Sequence, residues 1–153
     1  MTIKAIIFDM DGLMFDTETV VYQSQQAAAE TLEMAFSKEV YLRYLGTSDA
    51  EFVEKFHQDF DSRYGVEKVT AFIKLAYQIS EEKFAKGAVA LKPGVEELLA
   101  YIEEKQLKKI LASSNNRKAI DGLLAQKGLA ATFDQIVSAN DVTRAKPDPE
   151  IFL

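Results

Sequence analysis

Lys4-Ala5-Ile6-Ile7-Phe8-Asp9-Met10-Asp11-Gly12 decides how the rest of the 153-residue chain is read. A short apolar run ends in two carboxylates one residue apart, followed by a glycine. The two-residue period of an extended chain puts Asp9 and Asp11 on the same side. Two neighbouring acids at the end of a strand repel each other and resist desolvation. A divalent cation, acid/base work, or both would justify that cost. Gly12 allows a sharp turn and a close backbone approach by a ligand. Asp-Gly alone is also a common hairpin turn, so the tetrapeptide needs its context.

That context lies downstream. From Leu91 the chain alternates strand and helix signals. Pro93-Gly94 opens a helix containing Leu98, Leu99 and Ile102. Lys109–Ala112 reads as a strand ending at Ser113-Ser114-Asn115. A helix follows over roughly Lys118–Lys127 and stops at Gly128. Gln135–Ser138 reads as a third strand, and Lys146-Pro147-Asp148-Pro149 leads into a helix start at Glu150. This alternation predicts an α/β fold with a doubly wound parallel sheet, whose ligands sit at the carboxyl ends of the strands.

Residues 17–86 contain no proline and carry helical signals throughout. A first helix is expected over Thr19–Ala35, with Asp16 or Thr17 as N-cap. Ser37 caps a second running through Leu45. Ser48-Asp49-Ala50-Glu51 is a capping-box pattern for a third, with Phe52, Phe56 and Phe60 on one face. A fourth runs from Val66 towards Lys86, with Val69, Ile73, Ala76 and, at the margin of that face, Tyr77 inward. The expected organisation is a core domain of residues 1–15 and 87–153, interrupted by a four-helix cap of residues 16–86 whose two crossings act as hinges.

Composition excludes several classes. The net charge is −6 and the sequence pI about 4.9, which argues against nucleic acid or an anionic membrane surface as main partner. There are no cysteines, so disulfides and thiolate sites are out. The absence of a long apolar run or a signal-peptide segment makes a cytoplasmic location the expectation.

The ends of the three strands thus collect Asp9 and Asp11, Ser113-Ser114-Asn115, and a loop reaching Lys146. A nucleophile, an acid/base, hydroxyl and amide donors and a cation are the parts that phosphoryl transfer uses. The pattern resembles the haloacid dehalogenase-like superfamily, in its beta-phosphoglucomutase-like branch of phosphatases and mutases. The matching motifs are Ile7–Leu13 with Phe15-Asp16-Thr17-Glu18, then Leu111–Asn115, then Lys146–Phe152, and the resemblance covers the whole chain.

The resemblance implies roles. Asp9 would be the nucleophile, forming an aspartyl-phosphate, and Asp11 the acid and then base. Mg²⁺ would be held by the Asp9 carboxylate and the Asp11 backbone carbonyl. Ser113, with the Ser114 amide, would bind the phosphoryl group, and Lys146 would neutralise charge. Thr47 and Asn115 are candidates for the substrate side. The implied enzyme is a Mg²⁺-dependent phosphatase of a small phosphorylated, sugar-phosphate-like metabolite. Sugar-phosphate mutase activity, an inactive fragment and a phosphate-accepting module are the alternatives. Ser114 and Asn115 are equally suited to capping the next helix, Thr47 to helix capping, and Lys146 to an ordinary loop.

Two departures from the family pattern matter. Its fourth motif, an acidic pair on a further strand beside the first, is expected beyond Leu153. Asp134, Asp141 and Asp148 precede that place and are not assigned to it. The sequence therefore reads as the N-terminal part of a longer protein, with Ile6 and Phe8 short of neighbours at an open sheet edge. Mutases of the family also carry a cap histidine where this chain has Val21, and a phosphate-holding arginine where it has Asp49. A carboxylate at that place repels a second phosphate, which favours phosphatase over mutase.

Overall fold

A computed structural model describes residues 3–47, 49–144 and 146–153. The chain divides into two compact units, one of residues 1–17 and 89–153 and one of residues 18–88.

The first unit is built on three parallel strands, β1 (Ala5–Phe8), β2 (Lys108–Ala112) and β3 (Gln135–Val137), in the order β1-β2-β3. Ile7 lies opposite Ile110 and Phe8 opposite Leu111, and Ala112 opposite Val137, so all three strands end at one edge. Helix α5 (Val95–Glu104) links the first unit's earlier segment to β2, and α6 (Arg117–Gln126) links β2 to β3. Apolar spacing explains both helices. Val95, Leu99 and Ile102 are buried on α5, and Ile120, Leu123 and Leu124 on α6. Gly94 starts α5 from a left-handed φ of 87°, which a residue with a Cβ rarely adopts. The last turn is a short 3-10 helix over Pro149–Phe152, capped by Asp148.

The sheet edge differs in detail from the sequence expectation. β1 is an outer strand, but Phe8 is buried against Phe133, their rings edge to face at 6.0 Å. Ile7, on the opposite face of the strand, is exposed at 44%, as is Ala5 two residues before it. The segment carrying Phe133 covers one face of β1, and alternation leaves Ile7 on the other.

The second unit contains most of α1 (Thr17–Thr31), then α2 (Lys38–Leu42), α3 (Asp49–Tyr64) and α4 (Val66–Ala85). Its core is aromatic. Phe52, Phe56, Phe60, Phe72, Val69, Ile73 and Ala76 are buried together, as their spacing on α3 and α4 predicts, whereas Tyr77, at the margin of that face, is exposed at 38%. Phe56 is the hub, 4.6 Å from Phe60 and stacked 4.7 Å from Phe72. Helix α1 stops at Thr31, short of the expected Ala35. Glu33 adopts a left-handed φ of 49°, and the Met34 amide returns to the Ala29 carbonyl at 2.9 Å. Ser37 caps α2 as expected, but that helix ends at Leu42. The expected Ser48 cap lies outside the described residues. His57 is half-buried and pairs with Asp61 one turn on, at 2.8 Å. No described helix is long and apolar enough to cross a membrane.

Candidate active site

Everything that shapes this site lies in the first unit. β1 delivers Asp9 to the end of the sheet, where the chain leaves the strand and folds into a tight loop. Gly12 takes a φ of 72° and its amide donates to the Phe15 carbonyl at 2.9 Å. The amides of Met14 and Phe15 both donate to the Met10 carbonyl at 3.0 Å. Met10, Met14 and Phe15 are fully buried and pin the loop from below, while Asp9 and Asp11 stay at the surface. Alternation around Met10 therefore puts the two carboxylates on the side away from the core.

The loop after β3 brings the cation. Lys146 donates to Asp9 Oδ1 at 2.8 Å and to the Ala112 carbonyl at the end of β2 at 2.9 Å. Glu150 holds that loop in shape. Its carboxylate accepts from the amides of Thr143 and Arg144, each at 2.9 Å, and these bonds with the Thr143 hydroxyl keep its pKa below the ordinary value.

The end of β2 supplies hydroxyl and amide groups. Ser113 is fully buried and its amide donates to the Val137 carbonyl at 3.0 Å. Its Oγ accepts from the Asn115 amide at 3.1 Å. Asn115 Nδ2 donates to Asp11 Oδ2 at 2.7 Å. Asn115 thus joins the acids of the first unit, whereas Thr47 lies in the second unit and donates to the Tyr44 carbonyl at 2.7 Å. Ser114 is exposed beside them. Neither Ser114 nor Asn115 caps α6; the cap is Asn116, whose Oδ1 accepts from the Ala119 amide at 2.9 Å.

The two acids are electrostatically unequal. Although Asp11 keeps an accessible edge, partial desolvation by the protein packed around its carboxyl pushes it above its ordinary value, and the neighbouring charge of Asp9 pushes it the same way. The hydroxyls of Thr17 and Ser113 and the ammonium of Lys146 pull it part of the way back. An acid that keeps its proton longer beside a lysine-paired carboxylate is an arrangement suited to one nucleophile and one proton donor.

Thr17 and Lys92 were not legible as site residues. Thr17 is buried and acts on Asp11 through its hydroxyl. Lys92 pairs with Asp16 at 2.8 Å and braces the same loop, its amide donating to the Met14 carbonyl at 2.8 Å. The Asp16-Thr17 pair directly after the first motif was the available signal for Thr17; Lys92 had none. The three unassigned acids have structural partners. Asp134 accepts from the Lys109 amide, Asp141 from Ser138, and Asp148 caps the last helix and pairs with Arg144.

This combination of parallel sheet, paired aspartates and distant lysine defines a class. A family model described as haloacid dehalogenase-like hydrolase matches residues 6–153. The chain belongs to that family of hydrolases. It is 37% identical over 155 residues to YhcW of Bacillus subtilis, covering 99% of this chain and 67% of that protein. It is 28% identical over 150 residues to the "Phosphorylated carbohydrates phosphatase" of Thermotoga maritima, covering 98% of this chain and 68% of the other. Its fold matches the crystal structure of CbbY from Rhodobacter sphaeroides in complex with phosphate, with a TM-score of 0.69 at 22% identity. That match covers 99% of this chain and 70% of the CbbY chain.

Proposed function

We propose that this chain carries a phosphatase site for a small phosphorylated metabolite of the sugar-phosphate kind, working through a phosphorylated Asp9. The observation that carries the reading is the 2.8 Å pairing of Lys146 with Asp9, next to an Asp11 whose pKa is raised. The relative named as a phosphatase of phosphorylated carbohydrates supports the substrate class.

In the first step an Asp9 carboxylate oxygen attacks phosphorus and the bond to the ester oxygen breaks. Asp11 gives its proton to the departing alcohol. In the second step Asp11, now ionised, takes a proton from a water that attacks the phosphorus. The bond to Asp9 breaks, inorganic phosphate leaves, and both acids return to their starting states. Ser113 and the backbone amides after β2 bind phosphoryl oxygens, and Lys146 offsets the charge of Asp9 and the phosphoryl group. Asn115 positions Asp11 through its 2.7 Å bond.

Residues 9 and 11 also suit Mg²⁺. The donors there are all oxygen, and Mg²⁺ is commonly held by one or two carboxylates with water and phosphate oxygens completing its shell. Asp9, through its carboxylate, and Asp11, through its backbone carbonyl, would hold it. When bound, the ion neutralises charge between the carboxylate and the phosphoryl group. A cytoplasmic location and a cap role for the helical unit belong to the same reading.

Mutase chemistry is disfavoured by Asp49, a carboxylate at the position where the mutases this chain resembles carry a phosphate-holding arginine. Phosphate release from a panel of sugar monophosphates with Mg²⁺, compared between wild type and Asp9→Asn, tests the proposal. The variant is expected to keep its circular dichroism spectrum and lose turnover by at least about 10³-fold. Near-normal release from the variant would overturn it.

A further inference from the structure

The loop that follows β3 is built around one carboxylate. Asp141 Oδ2 accepts from the Ser138 amide at 2.8 Å and from the Ser138 hydroxyl at 2.6 Å. The Asp141 amide closes the turn on the Ser138 carbonyl at 3.1 Å, and Ser138 Oγ accepts from the Asn140 amide at 3.3 Å. The bonds from Ser138 hold the Asp141 carboxyl below its ordinary value, so it accepts as a carboxylate. Asp141 itself is exposed, but Ser138 is fully buried. Without the carboxylate a buried hydroxyl and its own amide lose their acceptor, and the loop must shift to find others.

That loop in turn holds the one after β2. The Ala139 amide donates to the Asn115 carbonyl at 2.9 Å, and Asn140 Oδ1 accepts from the Arg117 amide at 2.9 Å. The second bond satisfies an amide in the first turn of α6, where the helix has no acceptor of its own to offer. Asn115 lies in the segment so held, and its side chain reaches Asp11 Oδ2 at 2.7 Å. A bonded path therefore runs from Asp141 to Ser138, along the chain to Ala139, across to Asn115 and on to Asp11.

We propose that Asp141 is a positioning residue for this site: it sets the loop after β3, which places Asn115 for its bond to Asp11. The inference rests on the proposed function in taking Asp11 as the group that moves the proton. A displaced Asp11 slows proton transfer without weakening substrate binding in proportion.

The test is a double-mutant cycle on turnover of a sugar monophosphate with Mg²⁺, using Asp141→Ala, Asn115→Ala and the two together. Asp141→Ala should lower kcat about ten- to a hundredfold, with KM changed by less than about twofold. The double variant should match Asn115→Ala within about twofold, because both changes break the same path. Asp141→Asn keeps a neutral acceptor for the Ser138 hydroxyl and should recover most of the rate. Ser138→Ala, which removes one of the two bonds to the carboxylate, takes the place of Asp141→Ala if that variant does not fold. Asp134→Ala is the control. It removes a carboxylate bond to the Lys109 amide at the other end of β2 and should leave kcat within about twofold of wild type. Without substrate, the nuclear magnetic resonance signals of the Asn115 side-chain amide should move in Asp141→Ala and stay in place in Asp134→Ala. Multiplying losses in the double variant, unmoved Asn115 signals in Asp141→Ala, or an equal loss of turnover in Asp134→Ala would each overturn the proposal. The Asn115 signals need no turnover, so they test its placement even if Asp9→Asn releases phosphate normally and the phosphatase reading fails.

Discussion

Lys146 Nζ lies 2.8 Å from Asp9 Oδ1, although 137 residues separate them in the chain. The pairing is made by topology. Asp9 leaves the sheet at the end of β1, and Lys146 reaches back across the end of β2, where it also bonds the Ala112 carbonyl. The ammonium is therefore fixed by two oxygens, which in the proposed reaction would remove the cost of orienting it.

Lys146→Met should consequently reduce phosphate release by about 10²–10³-fold, the range seen when one preorganised charge-stabilising group is removed. The ammonium also holds the Asp11 carboxyl down, against burial and Asp9. Its loss should move the Asp11-dependent limb of the pH–rate profile to higher pH. A profile displaced to lower pH would contradict the electrostatic assignment.

Asp11 gives a pH dependence of stability with a definite sign. Its folded-state pKa lies above the ordinary 3.8, so the folded protein holds this proton more tightly than the unfolded chain does. The stabilising contribution is complete below the unfolded value and is lost as pH rises through the folded one. At neutral pH the wild type has lost it, and Asp11→Asn carries no such charge. Urea midpoints should therefore favour Asp11→Asn at neutral pH, with the advantage vanishing as pH falls below about 3.8.

Asn115 and Asn116 are neighbours with separable duties. Asn116→Ala removes the α6 cap and should cost about 1 kcal/mol of stability, read as a lowered urea midpoint with turnover retained. Asn115→Ala removes the donor to Asp11 Oδ2 and should lower turnover while leaving α6 capped. The reverse pattern would show that the cap assignment is wrong.

Phe56→Ala tests the aromatic core of the helical unit. The ring is 1% exposed and meets Tyr44, Phe52, Phe60 and Phe72 within 5.5 Å between centroids. Truncation should cost about 3–5 kcal/mol, as for other large buried aromatics, visible as an early loss of the near-ultraviolet tyrosine and phenylalanine signal on heating.

The parts of the site legible in the sequence are those whose chemistry conflicts with their setting. Acids at the end of an apolar strand, serines where β2 stops, and a lysine beside two prolines all stand out against their surroundings. The strand and helix order was legible because β2, α5 and α6 keep apolar residues at regular spacing. What escaped depends on the third dimension. Which of Ser114, Asn115 and Asn116 caps α6 turns on where the helical φ values begin, a choice among three adequate caps. Whether Ile7 or Phe8 is exposed depends on where Phe133 lands after α6. Gln25 sits among several polar residues of α1 and looks solvent-facing until the other helices close around it.

The segments on either side of the helical unit are stitched to each other within the first unit. Phe15 and Leu91 form an antiparallel bridge, the Asp16 amide donates to the Ala90 carbonyl at 2.9 Å, and the Lys92 amide to the Met14 carbonyl at 2.8 Å. A stretch of more than seventy residues thus departs and returns through one pair of adjacent backbone positions. The backbone of the first unit is closed at that stem by its own hydrogen bonds. Such a stem is a splice point: on the proposed reading, one helical module could be exchanged for another through it while the backbone that carries Asp9 keeps its closure.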